Sequence, residues 1–154
     1  MAQDDFASLA GRTPQTHGEH YKYLDNYTEL LELMKVHLPA YKLEAPKLFK
    51  LSIFNYLFSN GDAHFKYFSL LETPMGDYRL SPAYDLSYSR IHIEDKDFAL
   101  EDGLLPRNLA KVSVIQQFNI LAQLAGLSEK QVDDILGLSR QVKIKLPLYC
   151  ERHF

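Results

Sequence analysis

The run Pro46-Lys47-Leu48-Phe49-Lys50-Leu51-Ser52-Ile53-Phe54-Asn55-Tyr56-Leu57-Phe58, followed by Ser59-Asn60-Gly61-Asp62, decides the fold. Its apolar residues fall all round a helical wheel rather than along one stripe, which predicts a helix at the centre of a domain. Pro46 is tolerated in a first turn, where the N–H it lacks has no partner, so the helix is expected to start near it. Ser59-Asn60-Gly61 is the turn signal that ends it.

Upstream, Asp4 to Ala10 reads as a short helix ended by Gly11, and Arg12 to Asp25 as a polar loop. Asn26 with Glu29 has the form of a capping box, opening a helix through Leu30, Leu31, Met34 and Leu38 that Pro39 stops. Downstream, Phe68–Leu71 and Tyr78–Leu80 are strand-like runs joined by a turn-rich segment with Pro74, Met75, Gly76 and Asp77, which predicts a hairpin. Ser113 with Gln116 opens a helix through Ala125, closed by Gly126. Ser128 with Gln131 opens another, expected to close at Gly137, and a last helix from about Ser139 is kinked by Pro147. The expected fold class is mainly α with a small β-hairpin, as one domain over residues 1–154.

Composition narrows the function classes. The chain has 17 Lys+Arg against 20 Asp+Glu, a net charge of −3, which argues against binding nucleic acid through phosphate contacts. Its longest nearly apolar stretch, Leu51 to Phe58, is too short to cross a bilayer. Met1-Ala2-Gln3-Asp4-Asp5 has acid where a secretion signal needs base, and the single cysteine, Cys150, excludes an internal disulfide framework. A soluble cytoplasmic protein is expected, with no membrane and no nucleic-acid partner.

Chemistry concentrates between Asn60 and Asp85. Asn60-Gly61-Asp62-Ala63-His64-Phe65-Lys66-Tyr67 and Leu80-Ser81-Pro82-Ala83-Tyr84-Asp85 each place an acid in a loop at the end of a regular element. A hairpin between them would bring Asp62 and Asp85 to one edge. One carboxylate at a substrate hydroxyl and a second holding a divalent metal is the arrangement phosphoryl transfer needs. The competing reading from residue chemistry alone is that Asp62 caps a turn and Asp85 ends a strand.

These two segments and the hairpin between them resemble the active-site core of HipA-type serine/threonine kinases, the toxin halves of bacterial toxin–antitoxin pairs. The opening Gln3-Asp4-Asp5-Phe6-Ala7, the helix before the loop and the helical tail fit the carboxyl-terminal lobe of that family in order, over nearly the whole chain. The resemblance implies a protein-kinase-like C-terminal lobe acting with ATP and Mg²⁺. Within it Asp62 matches the catalytic aspartate that orients the acceptor hydroxyl. His64 and Lys66 match the pattern that follows, the His shaping the loop and the Lys contacting phosphate. Asp85 matches the metal-binding aspartate. The family has asparagine as a metal ligand where this chain has Tyr67, and a neutral phenol with a pKa of about 10 is a poor ligand for a hard cation. Asn60, across the loop, is the candidate substitute.

No Gly-rich phosphate loop occurs in the sequence, whereas the resemblance implies an N-lobe that carries one; either another N-lobe polypeptide supplies it or the chain is a fragment or truncated relative, and the isolated chain is expected to show little or no kinase activity. The resemblance also implies a helix-turn-helix antitoxin as partner and a protein substrate in the translation machinery. The alternative, from a different class, is a non-catalytic binding module of a toxin–antitoxin system that keeps the fold. A third reading is a small metal hydrolase using Asp62, His64 and Asp85. Lesser candidates read as ordinary surface: His17 and His20 lack a rigid frame for a metal, Arg90, His92 and Lys96 lie among acids, Arg140, Lys143 and Lys145 form a small basic face, and Cys150 and His153 sit near the tail. The Phe49, Phe54 and Phe58 side of the central helix is expected to be partly uncovered if the other lobe is absent.

Overall fold

The computed structural model describes residues 2–58, 60–84 and 98–145, the side chains beyond 141 excepted. Asp85, Arg90, His92, Lys96, Pro147, Cys150 and His153 lie outside the described residues.

The central helix is present but longer than expected. It runs Tyr41–Leu57 (α4), so Pro46 stands inside it rather than opening it. Glu44 N–H already bonds back to Ala40 O at 3.2 Å, which sets the helix before the proline is reached. The acceptor that Pro46 leaves unused belongs to Lys42, an exposed residue that water can serve. Leu48, Phe49 and Ile53 are buried, whereas Leu51, Phe54, Leu57 and Phe58 are half-buried. Of the side expected to be uncovered, Phe49 is enclosed at 1% exposure against Phe118, and only Phe54 and Phe58, stacked at 4.3 Å, remain partly open.

Around α4 pack α3 (Tyr27–His37), α5 (Val114–Ala125) and α6 (Glu129–Lys145). Asn26 caps α3 as expected, accepting Thr28 N–H at 3.0 Å, but Glu29 does not complete the box, because its carboxylate bonds Arg12 at 2.6 Å instead. Leu38, held extended before Pro39, ends α3. Both later boxes form: Ser113 with Gln116, and Ser128 with Gln131. Gly126 closes α5 in the left-handed region, while Gly137 closes nothing; α6 continues through it and through Ser139. Val132, Ile135 and Leu136 pack against the core and offset the roughly 1 kcal/mol that a helical glycine costs relative to alanine.

The hairpin is Ser69–Glu72 (β2) with Tyr78–Leu80 (β3), paired Leu70↔Leu80. A third strand, Gln3–Asp5 (β1), pairs on the other side of β2 with Asp4 opposite Leu70. The amino-terminal helix therefore starts later than expected, at Phe6 (α1, Phe6–Leu9), and Asp5 caps it by accepting Ser8 N–H at 2.9 Å. The segment expected to be loop holds a one-turn helix, Pro14–His17 (α2), with its own Thr13/Thr16 box, and a 3₁₀ turn at Tyr21–Tyr23. The fold is mainly helical with a small three-stranded antiparallel sheet at one side.

Glu44 fastens that sheet to α4. Its side chain is 7% exposed, and it accepts the buried Leu80 N–H at 3.0 Å and Lys47 Nζ at 2.6 Å. Glu44→Ala leaves a buried donor without an acceptor and is expected to lower the unfolding free energy in urea by about 1–3 kcal/mol. Glu44→Gln, which keeps an acceptor for Leu80, is expected to cost less than half of that.

Candidate active site

The loop from Asn60 to Tyr67 is anchored from beneath. Asn60 is 1% exposed and spans two neighbours: its Nδ2 donates to Asn55 Oδ1 at 3.2 Å, and its Oδ1 accepts Asp62 N–H at 3.3 Å. Asn55, on α4, donates in turn to the hydroxyl of Tyr27 on α3 at 3.2 Å. Burial holds that phenol well above its ordinary pKa, so it stays a neutral hydroxyl. A chain of buried polar groups thus runs from the core to the backbone of Asp62. Asn55, Tyr27 and Tyr23 went unremarked in the sequence; none carries a local signal, because their partners lie up to 39 residues away.

Asp62 stands at the end of this chain with its side chain 50% exposed. Tyr23 donates its hydroxyl to Oδ1 at 3.3 Å, and His64 Nε2 lies 3.6 Å from the same oxygen. Among the described residues no partner occupies Oδ2. The imidazole of His64 is buried, with the rings of Tyr23 and Tyr67 edge-on to it at 5.1 and 5.2 Å. Its Nδ1 accepts Lys66 N–H at 3.2 Å, which fixes the neutral tautomer with hydrogen on Nε2, toward Asp62. Burial, and then the charge of Lys22, lower its pKa from 6.5 to about 4 against the opposing pull of Asp62.

Lys66 is exposed, and its carbonyl accepts the hydroxyl of Tyr84 at 2.9 Å. Tyr67 stacks against Tyr84 at 6.1 Å with ring planes 16° apart. Arg12, only 6% exposed, braces the loop from the other side. Its guanidinium lies 4.6 Å from the centre of the Phe65 ring while it bonds Asp25 and Glu29. Burial and the neighbouring Asp25 raise the Glu29 pKa to about 7.

The described residues do not fit a magnesium ion. The amide oxygen of Asn60, the candidate substitute ligand, is enclosed and already taken by a backbone N–H; Tyr67 offers a phenol engaged with aromatic rings; and Asp85 lies outside the described residues. Among the described residues no three His, Cys, Asp or Glu side chains gather as a metal cluster. His17 bonds Thr16 at 2.7 Å and His20 leans on the Tyr23 ring, so neither is turned to the other. Among the described residues, no helix is long and apolar enough to cross a membrane.

The model of the HipA-like C-terminal domain family matches residues 1–144. A protein of Sinorhizobium fredii (strain NBRC 101917 / NGR234), named Putative kinase Y4dM, is 29% identical over 131 residues. That match covers 85% of this chain and 30% of the relative, so the chain spans under a third of the relative's length.

Between about pH 6.5 and 4 the unfolded chain binds a proton at His64 that the folded chain refuses, so this group removes stability as pH falls through that window. Glu29 acts in the opposite sense: its raised pKa adds stability at low pH that is lost as pH rises through about 7. Imidazole shifts followed by NMR are expected to show His64 titrating at about pH 4, well below a free histidine. Unfolding of Glu29→Gln, which removes the opposing group, is expected to show a steeper loss of stability on acidification than the unsubstituted chain.

Proposed function

The chain belongs to the HipA-like C-terminal domain family, and on that premise we propose that it is the acceptor-side half of a serine/threonine protein kinase. Asp62 orients the protein hydroxyl and takes its proton as the phosphoryl group arrives. The observation that carries this reading is the state of the Asp62 carboxylate. One oxygen is steadied by Tyr23 and faces His64, and the other is clear of the described residues on a half-exposed side chain. The loop beneath it is held by buried hydrogen bonds, the preorganisation that positioning catalysis requires. His64 shapes that loop rather than moving protons, since its ring stays neutral and its Nδ1 is occupied.

ATP binding belongs to an N-lobe polypeptide in this proposal, with Lys66, exposed on the loop, as the phosphate contact from this side. Asp85, the metal ligand that the resemblance implies, lies outside the described residues, so no step is derived through a metal here. We further propose, on the family premise alone, a helix-turn-helix antitoxin as partner and a translation protein as acceptor. A second reading, a non-catalytic binding module, is favoured by one observation: Tyr67 stands where the family has its metal-binding asparagine, and its ring is packed between His64 and Tyr84.

Calorimetric titration with ATP, with and without Mg²⁺, of a preparation that joins this chain to its ATP-binding lobe separates the two. Metal-dependent heat that Asp85→Ala abolishes supports the kinase reading; silence in both supports the binding module. In a preparation that joins this chain to its ATP-binding lobe, Asp62→Asn is expected to reduce labelled phosphate transfer by about 10²–10⁴-fold with unchanged thermal unfolding. Undiminished transfer would remove Asp62 from the role.

A further inference from the structure

A cleft of about 440 Å³ opens between α4 and the strand β3, and neither Asp62, His64 nor Lys66 lines it. Leu51, Phe54 and Pro82 form its apolar floor, and Lys47, Lys50 and Arg79 stand around it. Lys47 is neutralised by Glu44 at 2.6 Å. Lys50 and Arg79 are exposed and make no ion pair among the described residues. Two uncompensated cations therefore border an apolar hollow on a chain whose net charge is −3.

We propose that this cleft receives an acidic segment of a partner protein, with an apolar side chain on the floor and flanking carboxylates on Lys50 and Arg79. The volume lies within the range of about 300–1,000 Å³ typical of specific recognition sites. A simple inorganic anion would leave the floor wet, and a purely apolar segment would leave both cations unused. A nucleic acid suits the site less well. The Phe54 ring is already stacked on Phe58, which reduces its use as a base platform. Arginine and lysine beside an apolar hollow instead match a peptide that alternates carboxylates with one bulky aliphatic residue. This surface serves substrate or partner capture whether or not the chain transfers phosphate, so its test does not depend on activity.

The probe is a pentapeptide with a central leucine flanked on each side by two glutamates, titrated into the ¹⁵N-labelled chain and followed by amide shifts. Saturable shifts are expected at Lys50, Leu51, Arg79, Leu80 and Ala83, weakening as salt is added. Lys50→Glu with Arg79→Glu, both surface positions, is expected to weaken binding about tenfold or more. Replacing the peptide leucine by serine is expected to weaken it comparably, and Lys50→Ala alone to give an intermediate loss. The proposal is overturned if millimolar peptide produces no saturable shifts there, or if the charge reversal leaves affinity unchanged while circular dichroism shows the fold intact. It is equally overturned if an oligodeoxythymidylate of matched charge binds the same residues more tightly than the peptide.

Discussion

The position of Asp62 depends on a line of buried hydrogen bonds that starts at the Tyr27 hydroxyl and passes through the side chains of Asn55 and Asn60. Each amide in the line donates to one neighbour, and each amide oxygen accepts from the next, so removing one member strands another in a region water does not reach. Because Tyr27 also packs edge-on against Phe68 at 5.7 Å, the same residue belongs to the hydrophobic core and to the polar line. The loop therefore inherits the rigidity of the packed helices. The groups that answer to pH, Glu29 and His64, flank this line without forming part of it.

Local signals in the sequence specify the structure where local physics decides. The boxes at Ser113 and Ser128, the stop at Pro39 and the Gly126 closure each involve residues within one helical turn, and each is present. The failures came where distant partners override local preference. Gln3-Asp4-Asp5 has no strand pattern; it becomes a strand because Leu70 and its neighbours present an unpaired edge some sixty residues later. Glu29 has a capping role within reach, yet the buried Arg12 guanidinium offers a stronger charged bond. Gly137 and Pro46 are permitted inside helices because packing on either side outweighs their intrinsic cost.

The site divides in the same way. Asp62, His64 and Lys66 lie in one contiguous motif, which is why a resemblance in sequence can single them out. Asn60 belongs to the same motif, and its burial and two hydrogen bonds make it an anchor of the loop, which no local pattern announces. Tyr23, which steadies the Asp62 carboxylate, could be found only in three dimensions. The imidazole of His64, held between the edges of two tyrosine rings, gains its neutrality from that enclosure rather than from any feature of its own neighbours in sequence.

The Glu44 carboxylate has a bearing on how copies of this molecule behave toward one another. Among the described residues β3 is an edge strand of its sheet, and the N–H of Leu80 goes to Glu44 rather than to β2, on the side from which another strand would extend the ladder. That donor is already occupied by a side chain of the same molecule, tethered to a long helix and accompanied by negative charge. An incoming strand would have to displace it before pairing could begin. At the β3 edge the sheet thus has one ladder donor blocked from within, by a residue of a helix.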